Sequence, residues 1–136
     1  MKSKTLSIVF KREVGADGLE KALDNIFKEA DLAIEKGHAI LILSDRDLSA
    51  KNIPIPSLLA CAGLHHHLTR QGTRTKTSLV IETGEAREMH HFAALIGYGA
   101  NAINPYLAFE TVENEILQGR LPPEITYKTA QKNFIK

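Results

Sequence analysis

The sequence predicts an α/β fold: alternating βα units built on a parallel sheet of four strands. Three observations carry this. Four short apolar runs rich in branched residues recur along the chain: LSIVF (6–10), AILIL (39–43), TSLVIE (77–82) and AIN (102–104). Segments with helical spacing separate them. The apolar runs are continuous rather than alternating, as expected of strands covered on both faces. Strands and helices in this rhythm imply parallel pairing through right-handed crossovers.

The elements follow in order. After the first strand, residues 18–36 set Leu19, Ala22, Leu23, Ile26, Ala30 and Ala33 at helical spacing. Asp17 followed by Glu20 reads as a capping box, and Gly37 as the C-terminal stop. Residues 56–71 make the second helix, with Pro56 in its first turn and Gly72 at its end. Residues 85–96 make the third, closed by Gly97. The fourth starts with Asn104 as cap and Pro105 at its first position, and runs to about Gln118-Gly119. A Pro-Pro break follows at 122–123. The last segment, TYKTAQKNFIK, places Tyr127, Ala130 and Phe134 on one face and reads as a helix cut short by a boundary of the sequence.

With 136 residues, the chain suits one domain and can bury a real core. A net charge of +1 gives no field that would draw nucleic acid or a membrane surface. No apolar run approaches the roughly 20 residues of a membrane helix. The start, MKSKTLSIVF, lacks the long apolar stretch of a signal peptide. One cysteine, Cys61, cannot form an internal disulfide, so a reducing, cytoplasmic setting is expected. Cys61 itself falls in the apolar half of its helix and reads as a small buried hydrophobe rather than a nucleophile.

GLHHHLTR (63–70) and EMHHFA (88–93) invite a metal-site reading. Helical geometry argues against it. Neighbouring residues point about 100° apart, so three in a row cannot converge on one ion. Zinc motifs on helices use i, i+4 pairs or paired cysteines, and neither spacing occurs among the histidines. With Leu58 as reference, His65 faces the core, His66 lies at the border and His67 points to solvent. On the third helix Met89, Phe92, Ala93 and Ile96 form the expected apolar stripe, flanked by His90 and His91.

Chemistry in parallel α/β proteins sits at the carboxyl ends of strands. There the sequence places Ser44, Asp45 and Arg46, then Glu82, Thr83 and Gly84, then Asn104, Pro105 and Tyr106. Glu82, Glu85 and Arg87 could hold a charged partner. The plainer reading is local: Asp45 pairs with Arg46, Thr83 caps the third helix, and Glu85 favours its positive N-terminus. GYGAN (97–101) joins a helix to a strand, the wrong order for a phosphate-binding glycine loop. No GxSxG, GxGxxG or iron–sulfur cysteine cluster is present.

Longer phrases carry a resemblance. LSDR, PIPSLLA, HHHL, SLVIETGEAREMHHFA, IGYGANAINPYLAFET and KNFIK make residues 40–112 and 124–136 resemble the central region of the glutamate synthase large subunit. That family is a glutamine-dependent, glutamate-forming oxidoreductase of nitrogen metabolism and ammonia assimilation. The resemblance implies that 1–136 is a single α/β domain, a fragment of the family's central domain, with half-TIM-barrel-like topology. It implies partners in the same polypeptide: a glutaminase, a flavin-binding barrel and a β-helix. It also implies FMN and an iron–sulfur cluster for the parent, held elsewhere, with no catalytic, cofactor or metal residue carried onto this chain. The role implied is to link domains and help wall an ammonia channel. Half a barrel leaves open edges and apolar surface, so a homodimer is expected in isolation. The candidate interface or channel rim is Asp45, Arg46, Glu82, Glu85, Arg87 and Asn104. The competing expectation is an independent small enzyme working with Asp45, Arg46, Glu82 and Asn104.

Overall fold

The computed structural model describes residues 2–136, apart from the side chain of Ala16. The chain runs β1 (Ser3–Ser7), β2 (Val9–Lys11), α1 (Gly15–Glu35), β3 (Ile40–Ser44), β4 (Asn52–Pro54), α2 (Ser57–Arg70), β5 (Ser78–Glu82), α3 (Met89–Gly97), β6 (Ala102–Asn104), α4 (Tyr106–Leu117) and α5 (Tyr127–Ile135). The main sheet has the order β1-β3-β5-β6, and every pair is parallel. Sequential order with a helix after each strand is the half-barrel-like arrangement that the sequence predicts.

Register explains the two faces. Leu6, Leu43, Ile81 and Ile103 lie side by side in one row, and Leu41 and Leu79 in another. Leu6, Leu41, Leu43, Leu79 and Ile81 are fully buried. They join Ile26, Ala30 and Ala33 of α1, Ala60, Cys61, Leu64 and Leu68 of α2, and Leu95 of α3 in one core. The alternate row, Thr5, Ile42, Val80 and Ala102, lies on the other face. Thr5 and Ala102 are exposed, and Ile42 and Val80 are only half-buried. One face of the sheet is therefore covered by helices and the other is open. The terminal helix does not cover it. Its Phe134 meets Phe92 of α3 and Phe109 of α4 edge-on instead, within the helical layer.

Several boundaries differ from the sequence expectation, each for a physical reason. LSIVF is not one strand. Ile8 is fully buried, donates its N–H to Ser44 O at 2.9 Å and accepts from Ile55 N at 2.7 Å. The chain turns there, and β2 leaves the main sheet to pair antiparallel with β4. Ser3, Lys4 and Thr5 extend β1 backwards as an exposed edge strand, so no apolar signal marked them. α1 begins at Gly15 and has no side-chain cap, so Asp17 and Glu20 form no capping box. α4 likewise has no side-chain cap, and Asn104 ends β6 instead.

The helix phases also shift. Leu58 is 39% exposed, and the buried face of α2 is Ser57, Ala60, Cys61, Leu64 and Leu68. The centre of that face lies about one residue step, roughly 100°, from Leu58. The first turns of that face are small (Ser57, Ala60, Cys61) and the later ones large (Leu64, Leu68), while Leu58 lies beside the face and Leu59 points away from it. The α3 stripe turns the same way: Met89 is 81% exposed and Ile96 59%, while Leu95 enters the core.

Candidate functional site

The carboxyl ends of β3, β5 and β6 bring four of the six candidate residues together. Glu82 is the hub. Its Oε1 accepts from Ser44 Oγ at 2.7 Å and lies 3.1 Å from Arg46 Nε. Its Oε2 accepts from Asn104 Nδ2 at 3.0 Å. Ser44, Glu82 and Asn104 meet because parallel register puts them in one row at the end of the sheet. Arg46 continues outward to Glu110 Oε1 at 3.3 Å and stacks over the Tyr106 ring at 4.1 Å. Burial alone would raise the Glu82 carboxyl; hydrogen bonds from Ser44, Arg46 and Asn104 and the Arg46 charge outweigh it and hold the group below its usual range.

Asp45 lies beneath this layer and is 1% exposed. It does not pair with Arg46. Its Oδ2 accepts from Thr83 Oγ1 at 2.7 Å, and the Gly84 N–H reaches both carboxylate oxygens at 3.0 and 3.2 Å. Asp45 thus ties the end of β3 to the turn after β5. Burial, and then the nearby Asp45 carboxylate, push the Tyr106 phenol well above its usual range. The two outer candidates go elsewhere. Glu85 Oε2 accepts from Ser57 N at 2.7 Å, so it caps α2 rather than α3. Arg87 is exposed, and its backbone N–H donates to His91 Nδ1 at 3.1 Å. Thr83 does not cap α3. Glu88 and His91 do, in a reciprocal capping box, with His91 Nδ1 accepting from Glu88 N at 3.2 Å. This is why α3 starts at Met89 and not at 85.

The amino ends of the strands hold a second cluster that sequence reasoning missed. Arg74, in the turn after α2, donates through Nε to His65 Nδ1 at 3.0 Å. Its Nη1 reaches Thr77 O at 2.8 Å, and Nη2 reaches Gly99 O at 2.7 Å and Asn101 Oδ1 at 3.0 Å. Asn101 Oδ1 also accepts from Leu79 N at 2.9 Å. No motif signals an arginine in a turn. The available hint was Gly99: its φ is 112°, and a Cβ there would lie 2.3 Å from His65 Nδ1. The glycine-containing loop is thus filled by a histidine ring.

The three consecutive histidines part company, as helical geometry requires. His65 turns to Arg74 on one side of the buried face. His67 turns to α1 on the other side, stacked on Phe27 at 4.8 Å and 2.8 Å from Asp31 Oδ2. His67 therefore does not face solvent; His66 is the exposed one. Among the described residues, no three His, Cys, Asp or Glu side chains are grouped to hold a metal. Cys61 is the only cysteine, and burial raises its thiol to about 11. These residues do not fit an iron–sulfur cluster.

A sequential parallel βα sheet with its carboxyl-end polar groups bound to one another is a barrel-like α/β module. The chain belongs to the glutamate synthase central domain family, whose model matches residues 1–136. It is 48% identical to the glutamate synthase [NADPH] large chain of Bacillus subtilis (strain 168), over 100% of this chain and 8% of that one. It is 40% identical to the glutamate synthase [NADH] of Schizosaccharomyces pombe, over 98% of this chain and 6% of that one. It is 42% identical to the chloroplastic ferredoxin-dependent glutamate synthase of Oryza sativa subsp. japonica, over 100% and 9%. The chain thus spans less than a tenth of the length of these relatives. No described helix is long and apolar enough to cross a membrane.

Proposed function

We propose that residues 1–136 are a single, non-catalytic scaffold domain of a cytoplasmic glutamate synthase large subunit. In this reading the domain links a glutaminase domain to the flavin-binding and β-helix domains and helps wall the path of ammonia between them. The parent would form L-glutamate from glutamine and 2-oxoglutarate, with FMN and an iron–sulfur cluster held outside this chain. Family membership supports the setting. The observation that carries the scaffold role is the state of the strand-end rim. Glu82, Asn104 and Ser44 are engaged with one another, and Asp45 beneath them is engaged with Thr83 and Gly84. Among the described residues, no buried side-chain nitrogen or oxygen lacks a partner. In this reading the Glu82 and Asp45 carboxylates serve to tie strand ends together, whereas an independent enzyme built on Asp45, Arg46, Glu82 and Asn104 would present one of them to a substrate.

The open sheet face, with Thr5, Ile42, Val80 and Ala102, is where neighbouring domains of the parent would dock. In isolation a second copy of the chain would take that place through apolar contact. The test uses the full-length enzyme with Arg46→Ala. Glutaminase turnover and ammonia-dependent glutamate formation should persist, while glutamine-dependent formation falls because hydrolysis and synthesis are less well coupled. Loss of the ammonia-dependent reaction would place the rim in the chemistry and overturn the scaffold reading.

A further inference from the structure

Arg74 clasps two turns and the pairing of two strands, and one of its anchors can change charge. The guanidinium offers only donors and keeps its protons throughout the working pH range. Its Nε–H points at His65 Nδ1 at 3.0 Å, so that nitrogen must be the acceptor and the ring proton sits on Nε2. A second proton on the ring could only go to Nδ1. Two donors would then face each other, both on cations. On the Gly99 side the ring has no room to evade this, because the backbone there is close enough that a Cβ would fall 2.3 Å from Nδ1 and 2.6 Å from Cγ.

We propose that His65 is a proton-operated latch, whose protonation on Nδ1 releases Arg74 and loosens the turns that hold the amino ends of β5 and β6. The consequence follows from what Arg74 holds: Thr77 O before β5, and Gly99 O and Asn101 Oδ1 before β6. Asn101 is also a clamp on β5, accepting from Leu79 N through its side chain and donating its own N–H to Leu79 O at 2.8 Å. The charged or titratable groups that face the ring are Arg74, from the turn after α2, and His66, edge-on at 5.2 Å on α2 itself. The turn after α3 presents the Gly99 backbone and the neutral Asn101. Burial first, then Arg74 and His66, lower the affinity of the ring for a second proton. The latch is therefore closed at neutral pH and opens in acid.

The test is a proton titration of the full 136-residue chain by NMR, read at the His65 ring nitrogens and at the Gly99 and Asn101 amides. The neutral ring should carry its proton on Nε2. Its midpoint should lie below the ordinary 6.5, and the Gly99 and Asn101 signals should move with it. In His65→Asn, which keeps an acceptor but does not titrate, those amide shifts should vanish. In Arg74→Gln the His65 midpoint should rise toward the ordinary value. A midpoint at or above 6.5 in the unaltered chain would overturn the latch. So would amide shifts that persist in His65→Asn. If that variant fails to fold, an unmoved midpoint in Arg74→Gln overturns it equally.

Discussion

The two ends of the sheet each gather polar side chains around one arginine, under opposite electrostatic conditions. At the carboxyl end, Arg46 is 46% exposed and meets two carboxylates, Glu82 and Glu110. At the amino end, half-buried Arg74 meets a histidine nitrogen, two carbonyl oxygens and an amide oxygen, all neutral. None of the ion pairs among the described residues includes it. Exposed ion pairs contribute little because water screens them and already solvates both partners. A less exposed cation held by aligned neutral acceptors depends more on its bonds, since water replaces the part-buried ones to His65, Thr77 and Gly99 less easily. The end that looks like an active site should therefore tolerate loss of its arginine better than the end that looks like an ordinary turn.

The largest effect should come from Gly99→Ala. The new Cβ would enter the His65 ring, and the backbone would keep a left-handed φ that alanine resists. We expect a loss of about 3 kcal/mol in a urea titration. A loss below about 1 kcal/mol would mean the amino-end cluster rearranges freely and is no clasp.

Next comes the comparison of the arginines themselves. Arg74→Ala should cost about 2 kcal/mol by taking the donor from three part-buried acceptors, His65 Nδ1, Thr77 O and Gly99 O. Arg46→Ala should cost no more than about 0.5 kcal/mol, given its exposure. Equal costs would erase the distinction between the two ends.

The histidines sharpen the same contrast on a smaller scale. His67→Ala loses its stacking on Phe27 and its contact with Asp31, and should cost about 1 kcal/mol. His66→Ala, at the exposed position, should stay within about 0.5 kcal/mol.

Acid should separate the ends in two stages. In the fold His65 resists protonation, so its contribution to stability is complete above pH 6.5, the unfolded value, and declines as pH falls below it. Glu82 is held below its usual value, so its contribution is complete above pH 4.5 and is lost as pH falls through the folded value. In denaturant midpoints recorded against pH, His65→Asn should remove the upper stage and Glu82→Gln the lower. A single stage that neither variant changes would contradict both assignments.

Much of this was legible in the sequence. Branched apolar runs separated by helical periods gave the four parallel strands, and strand ends gave the rim of Asp45, Arg46, Glu82 and Asn104. What could not be read was rotation and pairing over distance. The first turns of the α2 core face carry only Ser57, Ala60 and Cys61 before Leu64 and Leu68, so phasing on the larger but exposed Leu58 turned the helix and His67 with it. Edge residues Ser3, Lys4 and Thr5 carry no apolar signal. Glu85 sits three residues after Glu82, yet serves the start of α2, 28 residues away in sequence, and local spacing cannot reveal that. Arg74 was invisible because a clasp needs only the right carbonyls nearby, and carbonyls belong to every residue.

Helices close one face of the sheet, and in the function proposed above the open face is left for the rest of a glutamate synthase. The most direct measurement is thiol labelling of Thr5→Cys, on the open row and exposed, against the buried Cys61 as internal silent control. It is run on the isolated chain at nanomolar concentration and on the full-length enzyme that contains it. Labelling should be fast in the isolated chain and strongly slowed in the full-length enzyme. Equal rates in the two would contradict it, because the open face would then have no partner to meet.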